Sequence, residues 1–115
     1  MQRTNRYESL RQPGVRGQVV ARDFRSQTIY NTMATSITVI TGELLPGVWD
    51  YGYTIHRAGF PMQSRLPGEG EGWFKTEDDA RLYALETLRA KFDPRSPEAC
   101  TIDAHITRLI SPSLF

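Results

Sequence analysis

An α+β fold is expected: an antiparallel sheet of four or five strands, a helix packed across one face, and a second helix at the C-terminal end. Three observations carry this. Residues 49–92 pass from period-two to helical patterning across a glycine-rich break. Residues 35–43 are rich in β-branched side chains. The extended stretches are joined by short turn signals, which antiparallel pairing permits and parallel pairing does not.

Taken in order, residues 1–17 are polar and Arg-rich, with Pro13-Gly14 as a turn signal. They read as an arm, either disordered or lying over the domain. Residues 18–110 read as a single domain, and 111–115 as a tail. Gln18 to Phe24 starts a strand, which Gln27 to Tyr30 continues after a bend at Arg25-Ser26, and Asn31 is a turn residue. Thr35, Ile37, Thr38, Val39, Ile40 and Thr41 favour a pleated surface. Gly42 and then Pro46-Gly47 close that strand. Trp49, Tyr51, Tyr53 and Ile55 alternate with Asp50, Gly52, Thr54 and His56, so one face is apolar and the other small and polar. Ala58-Gly59 supplies a hairpin turn. Phe60, Met62, Ser64 and Leu66 alternate with Pro61, Gln63 and Arg65 as the return strand, placed at an edge because Pro61 has no N–H to donate.

Pro67 to Gly72 breaks regular structure, and Trp73-Phe74 is a short extended step. Thr76 is a good N-cap, and Glu77, Asp78 and Asp79 suit the first turn of a helix dipole. Ala80, Ala84, Leu85, Leu88 and Phe92 form one helical stripe, with Arg89 and Lys91 near its end and Asp93-Pro94 as the stop. Ser96-Pro97-Glu98 then reads as a helix start, followed by a stripe of Ala99, Ile102, Ile106, Leu109 and Ile110. Cys100, Ile102, Ala104 and Ile106 also alternate as a strand would. Helix is the reading chosen, because the start and the Ser111-Pro112 stop agree with it.

The chain has 115 residues and a net charge of +1, which bounds it to one core and gives no global argument for a polyanionic partner. The distribution is uneven. Residues 1–31 carry six arginines against two carboxylates. Cys100 stands alone, so no intrachain disulfide or thiolate-rich metal site can form. No apolar run approaches the roughly 20 residues of a membrane helix, and the N-terminus lacks a secretory apolar segment. A cytoplasmic location and no membrane association are therefore expected.

Candidates for chemistry are sparse. His56 and His105 are the two histidines, and no ligand spacing accompanies them. Cys100 reads as a small buried apolar residue rather than a reactive thiol. Glu77, Asp78 and Asp79 are accounted for by the helix dipole, since adjacent carboxylates on a helix point apart. The loop Gly68-Glu69-Gly70-Glu71-Gly72 is acidic and would repel phosphate, so it reads as a mobile loop. No metal, cofactor or catalytic set is expected. Trp49, Tyr51, Tyr53, Trp73 and Phe74 could stack bases on an open sheet, but covering by a helix is their simplest use.

The stretches Leu45-Pro46-Gly47-Val48-Trp49-Asp50-Tyr51-Gly52-Tyr53 and Gly72-Trp73-Phe74-Lys75-Thr76-Glu77-Asp78-Asp79-Ala80-Arg81-Leu82-Tyr83 together resemble small proteins encoded on bacterial mobile elements. That resemblance implies no activity and no functional residue. The joint Phe74-Lys75-Thr76 leading to Ala80 is similar to the sheet-plus-helix modules of phage integrase arm-binding domains, over roughly residues 49–92. That likeness implies DNA contact, from which the acidic stretch Glu69 to Asp79 departs. The terminal Leu114-Phe115 is similar to the ends of peptides that dock in the bacterial sliding clamp, although Ser111 or Ile110 stands where those peptides carry Gln.

The function expected is that of a non-enzymatic accessory or protein-interaction domain. Its partner would be a protein, a second copy of the chain included, with Leu114 and Phe115 as contacts. The alternative is nucleic-acid binding by Arg3, Arg6, Arg11, Arg16, Arg22, Arg25, Arg57 and Arg65 beside the aromatic sheet face.

Overall fold

The computed structural model describes residues 5–12, 23–70 and 72–111. Four strands, β1 (Phe24–Asn31), β2 (Thr35–Leu45), β3 (Val48–Arg57) and β4 (Gln63–Arg65), pair antiparallel in the order β1-β2-β3-β4. Two helices follow, α1 (Glu77–Arg89) and α2 (Pro97–Ile110). The fold is α+β, with α1 lying against β2 and β3 and α2 against α1 and β1.

The β2–β3 pairing sets the core. Ile37 stands opposite Ile55, Val39 opposite Tyr53 and Thr41 opposite Tyr51. Directly opposed residues share a face, so this face presents a block of large side chains. Leu85, Leu88, Ile102 and Ile106 close over it, each at most 2% exposed. Burying each such side chain stabilises by roughly 1.5–3 kcal/mol. The β1–β2 register slips between Thr28 and Tyr30, which lets Ile29 turn inward and join this core. The bend expected at Arg25-Ser26 is therefore displaced, and those two residues stay in register opposite Thr41 and Ile40. The strand start expected over Gln18 to Arg22 lies outside the described residues. Asn31 ends β1 instead of turning; the turn is made by Thr32, whose hydroxyl accepts from the N–H groups of Ala34 and Thr35.

Both helices start as their caps dictate. Thr76 Oγ1 accepts from Asp79 N at 3.1 Å, and Ser96 Oγ from Ala99 N at 3.1 Å. The stripe expected on α1 is buried throughout, Ala80, Ala84, Leu85, Leu88 and Phe92 all lying below 9% exposure, but the helix ends at Arg89, short of the expected Asp93-Pro94 stop, and Phe92 lies in the turn that follows it. Of the α2 stripe, Ala99, Ile102 and Ile106 are buried, Leu109 is half-buried and Ile110 is 55% exposed. Helix rather than strand wins over 97–110 because three residues at i, i+3 and i+7 find a common surface on α1 and the sheet. Glu77 does more than suit the dipole: it accepts from Thr41 Oγ1 at 2.8 Å and Arg25 Nη1 at 3.0 Å, tying α1 to the sheet.

The segment 5–12 is docked on α1. Asn5 Nδ2 donates to the Tyr83 carbonyl at 3.2 Å and to Thr87 Oγ1 at 3.0 Å. Tyr83 donates its hydroxyl proton to Glu8 Oε2 at 2.6 Å. Gln12 bridges Trp73, and Phe74 bridges Trp49 through two 2.8 Å backbone bonds, so Trp73-Phe74 is extended and fills the end of the sheet.

The second face of the sheet, expected to be small and polar, is covered over part of its area. At its β3 end Asp50 is fully buried and Gly52 is buried beside it. The chain leaving β4 crosses here. A side chain at Gly52 would collide with the Arg65 carbonyl oxygen and come within 2.9 Å of Pro67 Cδ, so only glycine lets the crossing pass. The Asp50 carboxylate receives Arg65 Nη1 at 3.3 Å and the Gly68 N–H at 2.6 Å. The acidic glycine loop, expected to be mobile, is thereby anchored at its first residue.

Candidate interaction surface at the β3–β4 hairpin

The hairpin takes its shape from Gly59 and Pro61. Phe60 N–H closes a turn onto the Arg57 carbonyl at 3.0 Å, and Gly59 sits at φ 85°, a region costly for any residue with a Cβ. Pro61 then has no N–H for the ladder, so pairing resumes only at Gln63 and β4 is three residues long. The return strand expected over Phe60 to Leu66 is corrected to this short element. Its apolar members do not reach the core: Phe60 is 67% exposed, Met62 59% and Leu66 41%. They stand beside the outer edge of β4, which pairs with β3 on one side and, among the described residues, ends the sheet on the other.

Two hollows adjoin at this hairpin. One, of about 270 Å³, is lined by Ile55, Arg57, Phe60, Pro61, Met62 and Gln63. The other, of about 490 Å³, lies between β3 and the last turns of α1 and is walled by Tyr51, Glu86, Thr87 and Lys91. Arg57 and Gln63 line both. Glu86 is fully buried, with Oε2 3.1 Å from Arg6 Nε. Across the mouth stand two cations held over rings. The Arg57 guanidinium lies 4.8 Å from the Phe92 ring centre, and the Lys91 ammonium 5.4 Å from that of Tyr53. Neither makes an ion pair among the described residues.

Of the other arginines singled out in the sequence, the four described ones are engaged by carboxylates. Arg6 meets Glu86 at 3.1 Å, Arg11 meets Glu8 at 3.4 Å, Arg25 meets Glu77 at 3.0 Å and Arg65 meets Asp50 at 3.3 Å. Arg3, Arg16 and Arg22 lie outside the described residues, as do Leu114 and Phe115. The aromatic set is spent largely on packing. Phe74 and Tyr83 are buried; Trp49, Tyr51, Tyr53 and Trp73 are half-buried. The Tyr51 ring has neighbours on several sides: Tyr83 at 5.0 Å, Phe74 at 6.1 Å and the Arg65 guanidinium at 4.0 Å. Burial raises the Tyr51 hydroxyl above its ordinary pKa. It also pushes Tyr83 up to about 12, helped by the hydrogen bond to Glu8.

His56 is exposed and His105 half-buried on α2, where burial and then Arg108 lower its pKa. Cys100, expected to be buried, is exposed, because it falls one residue beyond Ala99 on the outer side of α2. No group of three or more potential metal ligands occurs among the described residues. Nor is any described helix long and apolar enough to cross a membrane. Sequence reading missed the exposure of Phe60 and Met62 and the burial of Asp50 and Glu86. Pro61 was the available signal for the first. For Glu86 the signal was its place four residues after Leu82, on the side of α1 that buries.

Compared with protein-family models, curated proteins and solved structures, the chain matches none of them.

Proposed function

We propose that this chain is a cytoplasmic protein-interaction domain that works by binding and performs no chemistry of its own, and that its docking surface is the β3–β4 hairpin. The supporting observation is the exposure of Phe60 and Met62 over an Ile55-floored hollow at an open strand edge. Large apolar side chains grouped on a surface mark partner sites more often than lone ones do. An unpaired edge with side-chain hollows beside it is the arrangement that accepts an extended segment as an added strand, main-chain hydrogen bonds giving affinity and hollows giving selectivity. The partner is a protein segment in extended conformation.

The test is a selection of random ten-residue peptides on the whole chain, followed by binding of the enriched peptides to the wild type and to the double variant Phe60→Ser/Met62→Ser. Both residues are well exposed, so the fold should persist, as circular dichroism would verify. Enriched peptides should lose about tenfold or more in affinity for the variant, the range seen when central apolar anchors are removed. Failure to enrich any peptide, or equal binding to both proteins, overturns the reading.

A further inference from the structure

We infer that the segment taken up at this edge is acidic as well as apolar, and seats an Asp or Glu carboxylate between Arg57 and Lys91. This rests on the docking surface proposed above and specifies what docks there. Arg6, Arg25, Arg65 and Arg89 each lie within 3.3 Å of a carboxylate of the chain itself. Arg57 and Lys91 have no such partner among the described residues, yet they line the same hollow. Glu86, the carboxylate in the wall of that hollow, is fully buried and engaged by Arg6.

Position supports the same occupant. Arg57 and Gln63 are common to the apolar hollow and the cationic one, so a segment lying along β4 passes from one to the other. An extended chain places alternate side chains on one face about 7 Å apart, enough for one residue to enter the apolar hollow and another to reach the cations. Both cations are steadied over rings, at 4.8 and 5.4 Å, which lowers the cost of ordering them around a ligand. A guanidinium can meet a carboxylate with two parallel hydrogen bonds, and the ammonium adds a third contact without fixed direction.

The experiment extends the same peptide selection. Enriched peptides should carry Asp or Glu near apolar residues. Replacing that residue by Asn or Gln should weaken binding to the wild type about tenfold, the size of one charge-assisted contact at a partly exposed site. The same replacement should cost less against Lys91→Gln or Arg57→Gln than against the wild type, since only one cation then remains, and binding to the wild type should weaken as salt is raised. Lys91 is exposed, so its variant keeps the test open should Arg57→Gln disturb the packing on Phe92. Peptides that bind, lose affinity on Phe60→Ser/Met62→Ser and ignore both cation variants would overturn this inference while leaving the docking surface standing. Failure to enrich any peptide would remove both. A free anion, assayed as inorganic phosphate, should not displace the peptide at equal concentration; displacement would mean that the site selects a small anion and would overturn the inference.

Discussion

Asp50 shows how one side chain can hold a crossing of the chain. It is fully buried, and its carboxylate is met by Arg65 and by the Gly68 N–H. Breaking such a pair leaves a buried charge without its partner. Asp50→Ala is therefore expected to cost about 3 kcal/mol, read from the midpoint of urea unfolding. Gly52→Ala should also destabilise, by about 1–3 kcal/mol, because the added methyl meets the Arg65 carbonyl and Pro67 on the same face. Both changes should loosen the loop after β4 without touching the helical core. Tyr83 offers a spectroscopic test. Its pKa, held at about 12 in the folded chain against the ordinary 10, means that the fold keeps a proton that the unfolded chain gives up. Its contribution to stability is complete below pH 10 and is lost as pH rises from 10 to 12. A tyrosinate absorbance titration should show Tyr51 and Tyr83 ionising late, and Tyr83→Phe should remove the component near 12.

Among the elements, α1 is the one whose beginning and buried side can both be derived locally, although it ends at Arg89, before the Asp93-Pro94 stop. Thr76→Ala should cost about 1 kcal/mol in thermal or urea unfolding, since the cap bond to Asp79 is lost. Glu77 adds a tertiary tie to the same turn, so Glu77→Gln should weaken the Arg25 and Thr41 contacts together. β4 is the opposite case. Its alternation promised seven residues, but Pro61 removes a donor where pairing would have to begin, and three residues remain. The helix at 97–110 competed with an alternating pattern on the page of the sequence. The contest is decided by packing, because Ala99, Ile102 and Ile106 share a surface only when the segment coils.

For the whole molecule, the core and the proposed docking surface separate. Phe60→Ser/Met62→Ser should leave stability within about 0.5 kcal/mol of the wild type, since both residues lie outside the core. A larger loss would mean that the hairpin serves folding rather than a partner. The domain should also weaken in mild acid. His105 is lowered below its usual 6.5 by burial and by Arg108, so the folded chain takes up its proton later than the unfolded one. Stability is unaffected above pH 6.5 and falls as pH drops from there through the folded value. Melting temperatures at pH 7.5 and 5 should differ less in His105→Gln than in the wild type. The segment 5–12 belongs to this scale too: Asn5→Ala removes two bonds to α1 across more than 75 positions of chain, and should release Tyr83 toward its ordinary pKa.

From sequence alone came the α+β class, both helices with their caps, the long strands β2 and β3, and the edge position of the return strand. These depend on residues within a few positions of one another, where periodicity, capping and turn chemistry act directly. Tertiary structure decided that Asp50 is buried, that Phe60 and Met62 are left outside, that Cys100 faces outward, and that Arg57 and Lys91 share a mouth. Such outcomes turn on partners far apart in the chain: Arg65 lies 15 residues from Asp50, and Arg6 lies 80 from Glu86. Local chemistry can propose a face for a side chain, but only the folded chain settles what arrives to cover it.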